Sequence, residues 1–141
     1  MKKLLSLLLV GIAFIPALAG DFPKGSPDFK TDFTTTAKTA KAEGLPMILV
    51  FSAAWCPPCQ TMKNEVYPSS EVEQYHDKFV WAYLDVDDPQ NAAVSNHFGV
   101  NGIPHIQFLA ADGSSLGQQV GAESAKDFAR TLKSVLKHAS K

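Results

Sequence analysis

The run Trp55-Cys56-Pro57-Pro58-Cys59 constrains this chain more than anything else in its sequence. It lies between a continuous apolar stretch, Met47 to Phe51, and a stretch of helical periodicity in which Cys59, Met62, Val66 and Tyr67 share the inner face. These are the only two cysteines in the chain. Two cannot build a disulfide-rich scaffold, nor by themselves a four-ligand zinc site. A Cys-x-x-Cys pair at a helix start puts the first thiol at the N-cap and the second one turn inside. The helix N-terminus offers partial positive charge and unsatisfied N–H groups, and both favour a thiolate. The thiolate is the nucleophile. Cys56 is therefore expected as the exposed attacking sulfur and Cys59 as the shielded, resolving one. Pro57 and Pro58 fall at the first two helical positions and have no N–H to donate, which leaves the amides of Cys59 and Gln60 in reach of Cys56. A plain structural disulfide is the alternative role for the pair in an exported protein.

Export is what the first nineteen residues predict. Lys2 and Lys3 precede an almost unbroken apolar run, Leu4 to Ile15; Pro16 breaks it, and Ala17-Leu18-Ala19 has the small-x-small pattern of a signal-peptidase site. The run is short for a membrane span, which needs about 20 residues; retention as an N-terminal anchor is the alternative. Removing 19 of the 141 residues leaves 122, a length for one domain. The leader takes two of the 13 basic residues and none of the 14 acidic ones, so the remainder carries a net charge of −3. That sign opposes nucleic-acid binding through phosphates. Lys126, Arg130, Lys133 and Lys137 share one helix face, read as a solvated surface, with a docking patch for an acidic partner as the alternative.

Beyond the leader, residues 20–30 read as an N-terminal arm and residues 31–141 as the domain. A helix is expected from about Thr31, capped by Thr31 or Asp32 and ended by Gly44 and Pro46. Met47 to Phe51 is a buried central strand. After the Cys56–Tyr67 helix, Ser69 or Ser70 opens a short one, and Phe79 to Val86 is a second strand. Asp88-Pro89 starts a helix that Gly99 stops. His105–Leu109 and Leu116–Val120 form a hairpin about Asp112-Gly113. A last helix from Glu123 to His138 buries Ala125, Phe128, Leu132 and Val135. These elements predict an α/β fold: a mixed central sheet with helices on both faces and a C-terminal β-hairpin plus helix.

In this order, and with Gly102-Ile103-Pro104 following Cys59 by about forty-five residues, the chain resembles the thioredoxin superfamily. Four features carry the likeness: Phe51-x-x-x-Trp55-Cys56-x-x-Cys59, Asp85-Val86-Asp87, Gly102-Ile103-Pro104 and Val120-Gly121. The likeness as a whole covers about Thr31 to His138. Within the superfamily the resemblance runs to small periplasmic members and the C-terminal domain of the electron-transfer protein DsbD. The resemblance implies a thioredoxin fold, with Cys56 as nucleophile and Cys59 as resolving thiol. It further implies Trp55 as aromatic flank, a cis Pro104 against the cysteines that keeps metal ligands away, and an Ile103 backbone that pairs with an extended substrate. Trp55, Pro57, Pro58, Ile103 and Pro104 are the expected substrate-binding residues.

Two departures from the family pattern stand out. The buried acid six residues before the first cysteine is Val50 here, and its lysine partner corresponds to Tyr83, so the usual proton acceptor for the resolving thiol is missing. The interval before Pro104 also leaves no room for the helical insertion of DsbA-like oxidants. The implied function is an exported, periplasmic thiol-disulfide oxidoreductase that reduces client disulfides. Its expected partners are exported client proteins with cysteines and a membrane electron donor that recharges it. A disulfide oxidase or isomerase, and a non-enzymatic metal- or peptide-binding module, are the competing readings. No cofactor beyond the Cys56–Cys59 disulfide and no metal is expected: His76, His97, His105 and His138 show no metal spacing, and only His105 neighbours the site. Asp85, Asp87 and Asp88 read as capping residues. The chain is expected to act as a monomer.

Overall fold

The structure is a computed structural model that describes residues 21–141. The leader, with its cleavage site near Ala19, lies outside the described residues. Among the described residues no helix is long and apolar enough to cross a membrane.

Five strands form one mixed sheet in the order β1-β3-β2-β4-β5. β2 (Met47–Ser52) is central, with β3 (Val80–Asp85) parallel to it on one side and β4 (His105–Leu109) antiparallel on the other. β5 (Ser115–Val120) returns antiparallel to β4 through a turn in which Gly113 takes a positive φ. The remaining edge, β1 (Phe29–Lys30), pairs parallel with β3. No strand is expected there from sequence, because two residues after a proline show no alternation. The arm before β1 is packed as well: Phe22 stacks within 4.7 Å of Phe29 and 5.0 Å of Tyr83.

Helices cover both faces, and the pleat of β2 divides its residues between them. Met47, Leu49 and Phe51 pack with α1 (Phe33–Glu43) and α4 (Ala92–His97). Asp32 caps α1 by accepting the Thr35 amide at 2.7 Å, and Gly44 ends it in the left-handed region. Ile48 and Val50 pack with the π-helical turn Met62–Val66 that continues α2 (Pro57–Thr61), with α3 (Ser70–Glu73) and with α5 (Ala125–Ala139). The sequence predicts one uninterrupted helix from Cys56 to Tyr67. Instead the Tyr67 amide reaches the Met62 carbonyl at 3.0 Å, a wider turn that a 3.6-residue pattern does not separate. The helix after Asp88 also begins differently, as a 3₁₀ turn, Pro89–Asn91, whose Asn91 side chain donates to the Asp85 carbonyl. On α5, Phe128, Leu132 and Val135 are buried while Lys126, Arg130, Lys133 and Lys137 are exposed, and Arg130 pairs with Asp127.

Candidate active site

The C-terminal end of β2 delivers the chain into the cysteine pair. Cys56 is the N-cap of α2, with Pro57 and Pro58 exposed at its first two positions. Cys56 and Cys59 are joined as a disulfide with Cα atoms 5.2 Å apart. The Cys59 amide donates to Cys56 Sγ at 3.3 Å. The Gln60 amide, expected to share that sulfur, bonds the Cys56 carbonyl at 3.1 Å instead. One backbone donor therefore serves the sulfur.

The expected exposure of Cys56 is not what the structure has. Cys56 is 3% exposed and Cys59 1%. Both pack with Ala53 in a small buried cluster that Val86 and Ile103 cover from outside. The cover comes from a loop distant in sequence, which helix-start geometry alone cannot reveal. Ile103 is half-buried and Pro104 buried, and the peptide bond between them is cis. The Ile103 carbonyl oxygen lies 3.8 Å from Cys56 Sγ. The oxidised sulfur has no proton to donate, so this is a contact; a reduced thiol would have that carbonyl within reach. The Pro104 carbonyl accepts the Gly121 amide at 2.8 Å and ties the loop to the end of β5.

Trp55 is 66% exposed and flanks the pair. Its indole Nε1–H donates to Asp87 at 2.7 Å, which fixes the ring as one wall of a groove of about 550 Å³ that Val86, Ser95, Asn96 and Ile103 also line. Asp85 and Asp88 do cap, accepting the amides of Asp87 and Gln90. Asp87 does something else: it anchors the tryptophan thirty-two positions back. His105 is turned from the sulfurs. Its ring packs on Phe51 at 5.6 Å and its Nε2 meets Gln107 at 3.3 Å. Among the described residues no group of three or more His, Cys, Asp or Glu side chains could hold a metal ion.

Val50 and Tyr83 are register partners on adjacent strands, as the missing acid and lysine would be. Val50 is buried in the apolar cluster of Ile48, Met62, Val66 and Ile106. The Tyr83 hydroxyl lies 2.6 Å from Ser52 Oγ. Sequence alone does not single out Ser52, which ends an apolar run without a signal of its own.

Residues 33–136 match the family model of the thioredoxin-like domain. The chain belongs to that family. The thioredoxin-like protein HCF164 of Arabidopsis thaliana chloroplasts is 36% identical over 93 residues, which cover 64% of this chain and 35% of that protein. The thiol:disulfide interchange protein DsbD of Pseudoalteromonas atlantica is 28% identical over 129 residues, 85% of this chain and 22% of its own length. The chain thus spans about a third and about a fifth of these two relatives. A thioredoxin from Thermus thermophilus superposes with a TM-score of 0.70 at 24% identity, covering 77% of this chain and 87% of that one. The oxidised C-terminal domain of Neisseria meningitidis DsbD gives 0.63 at 23% identity, covering 75% and 97%. These likenesses show the thioredoxin fold, and this thioredoxin-like chain carries the family's Cys-x-x-Cys pair as a disulfide at the helix start.

Proposed function

We propose that this chain is an exported thiol-disulfide oxidoreductase that reduces disulfides of client proteins, Cys56 forming the mixed disulfide and Cys59 resolving it. The observation that carries the reading is the single backbone N–H on the Cys56 sulfur. A disulfide is a strong oxidant when its reduced form is stabilised, and the dithiol is a strong reductant when that support is weak. Pro57 and Pro58 donate nothing, the Gln60 amide is used elsewhere, and the Trp55 N–H is held by Asp87. The remaining neighbours, Ala53, Val86 and Ile103, are apolar. A thiolate there gains little, so the pair favours the disulfide and gives electrons away.

Trp55, Pro57, Pro58 and Ile103 form the rim on which an extended client segment docks, with Pro104 buried beneath it. The basic, apolar and small-residue order of the first nineteen residues supports export, and the names of the DsbD relatives support disulfide interchange. An oxidising compartment supplies no reduced glutathione pool, so a membrane thiol donor must recharge the pair.

The test is the equilibrium reduction potential of Cys56–Cys59, read by alkylation in dithiothreitol buffers. A value near the thioredoxin end, about −270 mV, is expected. A value near −120 mV would make the chain a disulfide donor, and an unexchanging bond below about −300 mV would make it a structural staple.

A further inference from the structure

Behind the active-site helix, on the side away from the Trp55 groove, lies a small chamber of about 140 Å³ lined by Ser52, Ala53, Gln60, Lys63, Tyr83 and Asp85. Ser52, Gln60, Lys63, Tyr83 and Asp85 bring polar atoms to it, on a face of the sheet that elsewhere packs Ile48, Val50, Trp81 and other largely apolar side chains. Ser52 is 1% exposed, and its hydroxyl lies 2.6 Å from that of Tyr83. Each hydroxyl can donate and accept at once. Gln60, which follows Cys59 in the chain, donates its side-chain amide to the Ala53 carbonyl at 3.0 Å. Ala53 both lines the chamber and packs with the two cysteines, so the chamber and the disulfide share a wall. Phe22 closes on Tyr83 from the arm, with Lys63 Nζ 5.0 Å from the Phe22 ring.

Resolution of a mixed disulfide needs the Cys59 proton to leave, because the thiolate is the nucleophile. Cys59 is sealed from bulk water, and Val50 supplies no base. We propose that the Ser52–Tyr83 hydroxyl pair carries the proton that Cys59 releases, through chamber water, to the Asp85 carboxylate at the mouth. The proposal rests on the function proposed above. The chamber has room for water beside the two hydroxyls, and only the Ala53 wall lies between it and the cysteine cluster, so the relay requires water to pass that wall when the disulfide opens. Ser52 and Asp85 are register partners, so acid and hydroxyl meet at one rung.

The step balances. The Cys59 sulfur forms a bond to Cys56 Sγ, the bond from Cys56 to the client sulfur breaks, and the client sulfur leaves with the electron pair as a thiolate. The client disulfide is the oxidant and the dithiol the reductant. The Cys59 proton moves to one hydroxyl, which passes its own onward. Burial raises the Tyr83 pKa above its ordinary value, although hydrogen bonds from Ser52 and Gln60 oppose the rise and Asp85 adds to it. Tyr83 therefore acts as a hydroxyl relay across the neutral range. Asp85 and Lys63 are the charged groups lining the chamber.

The experiment is a single turnover of the reduced chain with glutathione disulfide, quenched and resolved by mass, from about pH 6 to pH 9. Attack by Cys56 is isolated in a Cys59→Ser background. Tyr83→Phe and Ser52→Ala are expected to slow resolution by roughly tenfold near pH 6.5. The deficit should narrow as pH rises toward about 9, because base in solution then competes with the relay for the thiol proton. Attack by Cys56 should not change, and Ser52→Thr, which keeps the hydroxyl, should restore the rate. Equal slowing at every pH, or no slowing, would overturn the relay. If the two deletions fail to fold, the solvent deuterium effect on resolution in the unaltered chain decides: a clear effect, lost in Asp85→Asn, is expected, and its absence overturns the proposal. No mixed disulfide on Cys56 in the Cys59→Ser chain would instead remove the function itself.

Discussion

Met47, Leu49 and Phe51 leave β2 on one side, toward α1 and α4, while Ile48, Val50 and Ser52 leave it on the other, toward α2 and α5. The first side is apolar to its last residue, with Phe51 packed against Phe98 and the His105 ring. The second side changes character at its end, where a buried serine meets a half-buried tyrosine at hydrogen-bond distance. Phe51 and Ser52 are both buried, so exposure of the strand residues does not explain the difference. A buried hydroxyl without a partner costs about 1–3 kcal/mol, and a partnered one costs little. On the second side β2 itself places a polar side chain where β3 supplies a partner for it, near the disulfide. The lesson is that position along one strand, rather than depth, decides where chemistry can be housed.

The largest expected break in this contrast comes from placing a charge one rung too early. Val50→Asp puts a carboxylate among Ile48, Met62, Val66 and Ile106, with Tyr83 rather than a cation on the next strand. Burial raises a carboxyl pKa by up to about 3–5 units, so the loss of stability near pH 7 reaches about 4–7 kcal/mol. The sign follows from the raised folded pKa. The penalty is smallest below the unfolded value of about 3.9 and grows as pH rises toward the folded one. Urea unfolding at about pH 4 and pH 7 reads it; equal losses at both would mean that the carboxylate has found a partner. Next in size is Phe51→Ala on the other side, which leaves a cavity and costs about 3–5 kcal/mol at every pH. A loss that varied with pH there would erase the distinction between the two sides.

Much of this arrangement is legible in the sequence. Met47 to Phe51 declares a buried strand because an apolar run bounded by Gly44-Leu45-Pro46 has few other solutions. Cys56 and Cys59 declare their helix, and Asp32, Asp88 and Gly99 mark the ends of others. What is not legible depends on register or on distant loops. Ser52 and Tyr83 are thirty-one positions apart and meet only because β2 and β3 run parallel in that register. Asp87 resembles its capping neighbours until Trp55 is seen bonded to it. Cys56 looks exposed at a helix start until Ile103 arrives to cover it. Phe29–Lys30 is too short to show any period, yet sheet pairing makes it a strand.

The smallest effect sharpens the comparison from outside. Asp32 caps α1, which covers the Phe51 side, and stands on the opposite face from the Ser52 chamber. The Thr35 backbone amide, followed by the Thr35 side chain, holds the Asp32 carboxyl below its usual pKa. A depressed folded pKa gives a contribution that is present above the unfolded value, about 3.9, and lost as pH falls through the folded one. Asp32→Ala should cost about 1 kcal/mol near neutral pH, the ordinary price of a missing N-cap. The altered and unaltered chains should approach each other in stability as pH falls below about 4. Their Cys56–Cys59 potentials should coincide, because the cap touches neither cysteine nor the chamber behind them. A shifted potential would mean that the two faces of β2 communicate through the strand, and the separation drawn from their packing would fail.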